Sequence, residues 1–423
     1  MLQVAHIREN KEAYIAALQK RKFNAEKHFD EILTLDEKRR STQTELDVIL
    51  AKSNGLSKEI GNLYKSGEQE KAGQLKEETA GLKEESKALN EKLQDLSHKL
   101  QVLLYNVPNI PHDSVPFGDS DEENKELYRK GERPELGKNA LPHWELAKKY
   151  DLIDFELGNK ITGAGFPVYK GKGARLQRAL AAYFLDKNVA AGYTEYQVPL
   201  VVNEASGLGT GQLPDKEGQM YHIKEDDLYL IPTSEVPLTN LFRDEILKEG
   251  DLPLRCTAHT NNFRREAGSY GKHVRGLNRL HQFEKVELVN VVKPENSYQV
   301  LDEMVEHIEG ILQELKLPYR VLRLCGGDLG FTAALTIDFE VFSTAQDRWL
   351  EISSVSNFEE YQANRLKTRY KTKDKKKHLV HTLNGSSLAL PRLLAGILEN
   401  YQTKGGIEMP EVLKNYLPFD RID

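Results

Sequence analysis

Residues 261–287 read NNFRREAGSYGKHVRGLNRLHQFEKVE, two strand-like pieces around a basic loop with three glycines. On a strand, residues i and i+2 share a face. By that parity Arg264 and Glu266 point the same way on the first piece, and His281, Phe283, Lys285 and Glu287 share a face on the second. Arg264 offers a planar fork suited to a phosphate or carboxylate. Glu266 can accept from an amine, Phe283 offers a flat surface for a purine ring, and Glu287 can bind an ammonium group. If the loop closes a hairpin, the two sets meet over one site that suits a nucleotide lying beside an amino acid. The same residues also fit a surface hairpin tied by cross-strand ion pairs, and parity alone does not choose between these.

Other common chemistries are missing. There is no G-x-x-x-x-G-K-[ST] phosphate loop and no H-E-x-x-H. The glycine-rich pieces GKG at 171–173, GTGQL at 209–213 and CGGDLG at 325–330 lack phosphate-loop spacing and read as turns. Cys256 and Cys325 are the only cysteines, too few and too far apart for a disulfide framework or a zinc site. A nucleotide bound here would be held without a P-loop or Rossmann fold.

The elements that must position these residues follow from periodicity. EYQVPLVV, HQFEKVELVNVV, TIDFEVFS and RWLEISSVSN read as strands, and ARLQRALAAYFLDKNVA and SYQVLDEMVEHIEGILQEL as amphipathic helices. Strands follow one another through short turns such as TAQD, which predicts an α+β domain built on an antiparallel sheet flanked by helices. Upstream the pattern changes. Ile32, Leu35, Arg39, Thr42, Leu46, Ile49, Ser53, Leu56, Ile60 and Leu63 alternate spacings of three and four, and Leu75, Leu82, Leu89, Leu96 and Leu103 recur every seventh residue. These are heptads, and the polar break KSGEQEKAG at 65–73 predicts an antiparallel coiled-coil hairpin over about 30–103. At 1.5 Å per residue such an arm is about 50–60 Å long. Residues 26–100 hold 13 Lys/Arg and 16 Asp/Glu, so the hairpin serves either for association or for RNA through a local basic face. NVPNIPHDSVP then stops the helix and marks a linker.

The chain has 423 residues, enough for two or three domains. It has no apolar run long enough to span a membrane and no basic-then-apolar leader, which fits a cytoplasmic protein. A net charge of −6 excludes blanket nucleic-acid binding but leaves room for a local basic face.

FRREAGSYGKHVRGLNRLHQFEKVE resembles motif 2 of class II aminoacyl-tRNA synthetases, and within them the seryl-tRNA synthetases. YTEYQVPLVV, with Pro199, resembles motif 1. PTSEVPLT at 232–239 resembles the serine-binding T-x-E element, and EISSVSN at 351–357 with NGSSLALPRLLAGILEN at 384–400 resembles the last active-site strand and motif 3. The heptad hairpin and the proline-rich junction resemble that family's arm and linker, so the resemblance runs in order along nearly the whole chain. The class I sequences HIGH and KMSKS are absent.

The resemblance implies a homodimeric enzyme that activates L-serine with ATP and passes the seryl group to the 3′ end of tRNA(Ser), and in some organisms of tRNA(Sec). It implies an N-terminal tRNA-binding domain over 1–104, a linker over 105–130 and a catalytic domain over 131–423. Arg264 would bridge the serine carboxylate and the α-phosphate, Glu266 would hold the adenine amine, and Phe283 with Leu280 would line the base. Arg392 would clamp the γ-phosphate, and Glu351 with Ser354 would ligate Mg²⁺. Thr233, Glu235, Glu287, Asn384 and Ser386 would form the serine pocket. The arm and the motif 2 loop, with Lys272, His273 and Arg275, would meet the tRNA, and the basic run 367–377 fits either RNA phosphates or a solvated hairpin tip.

Some residues sit awkwardly with simple local geometry. A straight strand puts Glu351 and Ser354 on opposite faces, so their convergence requires a bend or bulge. Thr233 and Glu235 share a face only if extended, and NGSS at 384–387 has strong turn chemistry. Leu335 and Thr336 stand where many relatives carry a lysine, and Ser387 and Ala389 where glycines are common in the wider class. Two other readings stay open: an adenylating ligase that loads a carrier protein, for which the arm has no evident use, and a non-catalytic coiled-coil scaffold, which the full set of charged residues disfavours.

Overall fold

The heptad segments become helices α1 (Ala25–Ser66) and α2 (Gln69–Tyr105). The structure, a computed structural model, describes residues 1–137, 140–266 and 275–423. Lys272 and His273 lie outside the described residues. Two units are present: Leu2–Gln19 with Phe23–Pro108, and Met1 and Lys20–Lys22 with Asn109–Asp423.

In the first unit α1 and α2 pack as an antiparallel pair. Ile32, Leu46, Leu82, Leu96 and Leu100 are buried in the seam. So are the small residues Thr42, Ser53, Ala72 and Thr79, which let the backbones approach closely. The turn is far tighter than the nine-residue break expected from composition. Only Gly67 and Glu68 leave the helix, with Gly67 at φ +84°. Glu68 N–H bonds Leu63 O at 3.0 Å and Gly67 N–H bonds Tyr64 O at 3.4 Å, a Schellman cap that satisfies the last carbonyls of α1. Gly73, placed in the break by composition, is helical. A charged residue is also buried: Asp36, with Arg8, Arg39 and Arg40 at 2.7, 2.7 and 3.0 Å. Burial alone would raise its carboxyl, but the three guanidinium groups outweigh burial and hold it below the ordinary range.

The second unit is built on a sheet of eight strands: β1 (Lys125–Lys130), β2 (Thr194–Glu195), β3 (Leu254–Phe263), β4 (Gln282–Val292), β5 (Tyr319–Arg323), β6 (Leu335–Ser343), β7 (Arg348–Glu359) and β8 (His381–Ala389). Their order is β1-β5-β6-β7-β8-β4-β3-β2. Neighbours run antiparallel except β2 with β3. This is the antiparallel α+β architecture that the strand-after-strand pattern predicts. Helices α3 (His143–Lys149), α4 (Gly171–Ala190), α5 (Glu235–Asn240), α6 (Ser297–Glu314) and α7 (Leu390–Asn400) surround it. On β6, Leu335, Ile337, Phe339 and Val341 enter the core with Met304 and Ile308 of α6 and Leu394 and Ile397 of α7. Thr336 and Asp338, of opposite parity, face a cavity on the other side.

Several local expectations need correction. Residues 109–130 are not a free linker. Asn109 Nδ2 donates to Thr332 O and Phe358 O at 2.9 and 2.8 Å, and β1 pairs with β5, so the segment belongs to the sheet unit. GKG at 171–173 forms the first turn of α4 rather than a loop. In GTGQL, Gly209 and Thr210 end a short helix that Gly211 caps at φ +90°. The basic run 367–377 spans the short strand Arg369–Lys371 and the turn to Lys377–Leu379. No helix among the described residues is long and apolar enough to cross a membrane.

Candidate active site

The open face of the sheet carries a cavity of about 540 Å³, lined by Thr233, Glu235, Arg264, Glu266, Leu280, Phe283, Glu287, Glu351, Ser354, Asn384, Ser386 and Arg392, among others. Every residue singled out from the sequence for substrate or metal therefore reaches one space, by routes that differ from simple strand parity.

The hairpin itself is present. β3 pairs with β4, with Phe263 opposite Gln282. The first strand ends at Phe263, however, so Arg264 and Glu266 do not share a strand face. Arg264 N–H bonds His281 O at 2.9 Å, closing the pairing, and Glu266 adopts φ +48°. The left-handed turn at Glu266, not alternation, aims its carboxylate, which pairs with Arg279. His281 precedes β4 and leaves the set: its ring stacks on Phe166 at 5.4 Å and bonds Tyr221 Oη at 3.1 Å. Phe283, Lys285 and Glu287 do share the cavity face of β4. The Arg264 guanidinium lies 5.2 Å from the centre of the Phe283 ring, and its Nε donates to Pro232 O at 3.3 Å.

Glu351 and Ser354 converge through a bulge. Phe339 pairs with Ser353 and Glu340 with Glu351, which leaves Ile352 as the extra residue. That is the irregularity their convergence required. Arg392 follows Pro391 in the first turn of α7, where proline forfeits no hydrogen bond. Its Nη1 meets the Glu351 carboxylate at 3.3 Å and the Glu351 carbonyl at 3.0 Å, and its Nε donates to Asn278 O at 2.9 Å.

Thr233 and Glu235 are not extended, because Glu235 begins α5. Glu235 N–H donates to Thr233 Oγ1 at 3.2 Å, and Thr233 Oγ1 donates to Glu287 at 3.3 Å. Asn384 and Ser386 are not in a turn but on central strand β8, with Ser386 opposite Glu287. Ser387, of the other parity, donates to Asn188 at 2.8 Å away from the site. Leu335 lies in the core, so its difference from a lysine does not touch the cavity, and Thr336 there bonds Ser356 at 2.9 Å.

Charge is partitioned within the cavity. At one end Glu235 and Glu287 lie close, with Lys285 paired to Glu287. Burial first, then Glu287, pushes the Glu235 carboxyl up to about 7. Gln362 holds it by a 2.7 Å hydrogen bond and is itself held by Thr382 at 2.8 Å. At the other end lie Glu351 and Asp338. Burial, then Glu351, raises the Asp338 carboxyl well above its ordinary range, and Asp338 Oδ1 has no hydrogen-bond partner. Three arginines also line the cavity: Arg264 within electrostatic reach of Glu235, Arg279 paired with Glu266, and Arg392 paired with Glu351. A cation suits either acidic pair, and an anionic chain suits the arginines. Sequence reasoning missed Arg279, Gln362 and Asp338. Arg279 lies in the 261–287 stretch but was given no role there, whereas the pairing of β6 with β7 and the hydrogen bond of Gln362 to Glu235 bring in Asp338 and Gln362 from outside any local motif.

Residues 1–111 match the seryl-tRNA synthetase N-terminal domain, and residues 220–401 match the class II tRNA synthetase core domain for glycine, histidine, proline, serine and threonine. The serine–tRNA ligase of Salinibacter ruber is 50% identical over 424 residues, covering 100% of this chain and 99% of the relative. That of Nautilia profundicola is 52% identical over 393 residues, covering 93% of this chain and 94% of the relative. Among solved structures, the seryl-tRNA synthetase of Pyrococcus horikoshii complexed with ATP superposes with a TM-score of 0.91 at 32% identity, covering 100% of this chain and 99% of that one.

Proposed function

The chain belongs to the seryl-tRNA synthetase family and is a serine–tRNA ligase, and from that premise we propose that the cavity on the open sheet face performs both half-reactions. The observation that carries this assignment is the charge partition. An amino acid's ammonium fits the Glu235 and Glu287 end, and its hydroxyl fits Asn384 and Ser386 on β8. ATP lies along Arg264, Arg279 and Arg392, with its base on Phe283 and Leu280 and its amine at Glu266.

In the first step the serine carboxylate attacks the α-phosphate and pyrophosphate leaves. Arg264, over the Phe283 ring and within electrostatic reach of Glu235, neutralises charge on the carboxylate and the α-phosphate as it develops. The substrate carboxylate is itself the nucleophile, so positioning carries the rate. In the second step the 3′ hydroxyl of the tRNA attacks the seryl carbonyl and AMP leaves.

The Glu351 end fits Mg²⁺. Its donors are hard oxygens, the bulge at Ile352 lets Ser354 line the same cavity as Glu351, and Asp338 Oδ1 lacks a partner. Among the described residues no three His, Cys, Asp or Glu are grouped to hold a metal unaided. The ion would therefore take its remaining ligands from ATP and water, and it would neutralise phosphate charge there. Glu351 and Ser354 would hold the ion, and Arg392, whose Nη1 meets the Glu351 carboxylate at 3.3 Å, would take the γ-phosphate beside it.

A site that hydrogen-bonds the seryl hydroxyl rejects alanine strongly, because its polar groups would be left unpaired, and rejects threonine only by shape. We assign the α1 and α2 hairpin to the tRNA and expect a homodimer. The carrier-protein alternative has no support, since residues 1–111 match the domain of a tRNA ligase family. The test is ATP–pyrophosphate exchange with each of the twenty amino acids. Serine should give the dominant exchange, and preference for any other amino acid would refute the assignment.

A further inference from the structure

Helix α7 carries Arg392 in its first turn and Glu399 two turns later. Glu399 is fully buried at 0% exposure, and so is His143 of α3. The Glu399 carboxylate accepts from His143 N–H at 2.9 Å, His143 Nδ1 at 2.7 Å, Gln346 Nε2 at 2.8 Å and the Ser343 hydroxyl. A carboxylate only accepts, so the imidazole proton sits on Nδ1. The other ring nitrogen, Nε2, then accepts, and it receives Leu277 N–H at 2.8 Å. Gln346 Nε2 also lies 3.3 Å from Nδ1, but the shorter contact to the Glu399 carboxylate takes the proton, and a proton on the ring Nε2 would set donor against donor at Leu277.

Leu277 belongs to the segment that returns from the motif 2 loop to β4. The next residue, Asn278, donates Nδ2 to Gln346 Oε1 at 3.0 Å, and its carbonyl accepts from Arg392 Nε at 2.9 Å. Asn278, Arg279 and Leu280 line the cavity. Helix α7 therefore grips this segment directly through Arg392 and indirectly from Glu399, through His143 to Leu277 and through Gln346 to Asn278. On the preceding side Gly276 has φ +69°, and a Cβ there would lie 2.3 Å from His143 Nε2. The close approach of ring and loop requires glycine.

We propose that His143, backed by Glu399, is a positioning residue for nucleotide binding: its Nε2 holds the Leu277 amide and so sets where Arg279, Leu280 and the Arg392 contact stand around ATP. The inference rests on the cavity being the ATP site. A merely structural histidine would affect folding alone, through either ring nitrogen equally.

Two substitutions separate the ring nitrogens. His143→Asn keeps a donor toward Glu399 and loses the acceptor for Leu277. His143→Gln keeps an acceptor that reaches Leu277 and loses the Nδ1 donor. In serine-dependent pyrophosphate exchange, His143→Asn should raise the KM for ATP about tenfold, the scale of one buried amide left unpaired, with the KM for serine within about twofold. His143→Gln should stay within about threefold of the parent for ATP, whatever its thermal stability. Equal rises in the two variants, or an unchanged KM for ATP in His143→Asn, would overturn the inference. Should His143→Asn fail to fold, Gly276→Ala attacks the same bond from the loop side. It should raise the KM for ATP likewise, and no rise would overturn the inference just as well. In either case intact exchange by the parent enzyme leaves the assignment of the cavity standing. Absence of serine-dependent exchange in the parent would instead remove that assignment, and the inference with it.

Discussion

Protonation of Glu235 should set the pH dependence of serine binding. Its carboxyl ordinarily titrates near 4.5, and burial followed by Glu287 raises it to about 7. Only the ionised form attracts an ammonium group. With a pKa of about 7, roughly nine-tenths of the sites are ionised at pH 8 and about one-tenth at pH 6. The apparent dissociation constant scales inversely with the competent fraction, so serine should bind about tenfold more weakly at pH 6 than at pH 8. Near pH 7 binding should release about half a proton per serine. The stability trend has the opposite sign. Between 4.5 and about 7 the folded chain keeps a proton at Glu235 that the unfolded chain gives up. The serine-free protein should therefore lose stability as pH rises through that window. Calorimetric titration with serine alone, in buffers of different ionisation enthalpy, measures affinity and proton release without the ionisation of ATP phosphates. Glu235→Gln should bind serine weakly at every pH and abolish both trends. Equal affinity at pH 6 and pH 8 within twofold, or a pH dependence that survives in Glu235→Gln, would refute the reasoning.

Gly67→Ala, at φ +84° in the turn between α1 and α2, should cost about 1 kcal/mol, read by thermal denaturation, and leave pyrophosphate exchange unchanged. Arg264→Lys keeps the charge and loses the fork, so exchange should fall by about 100-fold in kcat with the fold intact; retention within threefold would remove Arg264 from the reacting centre. Replacing residues 30–103 by a short turn should spare serine-dependent exchange and abolish tRNA charging. Charging by that variant would show that the hairpin does not carry tRNA recognition.

The elements most legible in the sequence were those whose pattern is periodic and local. The heptads gave α1 and α2 because one narrow stripe of Ile32, Leu46, Leu82 and Leu96 must be buried. Alternation gave β4, β6 and β7 because each buries one face and turns the other to the cavity. Local parity failed where the chain leaves regular structure. Arg264 and Glu266 lie beyond the end of β3, and Glu235 starts a helix rather than continuing a strand. Composition overstated the turn at 65–73, since a Schellman cap needs one left-handed glycine and little else. NGSS carried turn chemistry, yet pairing with β4 and β7 on both sides made it central strand. The candidate site residues came from family resemblance more than from parity. His143, Asp338 and Gln362 stayed hidden because their roles depend on contacts across distant parts of the chain, and Arg279 because strand parity says nothing of the loop residues between the two strands.

A crystal structure with a non-hydrolysable seryl-adenylate analogue tests the central assignment most directly. The adenine should lie on Phe283 with its amine at Glu266, and the phosphate mimic should meet Arg264. The ammonium should lie between Glu235 and Glu287, with the seryl hydroxyl at Asn384 and Ser386. An analogue seated in another cavity, or in this one with its seryl group at the Glu351 end, would contradict the account.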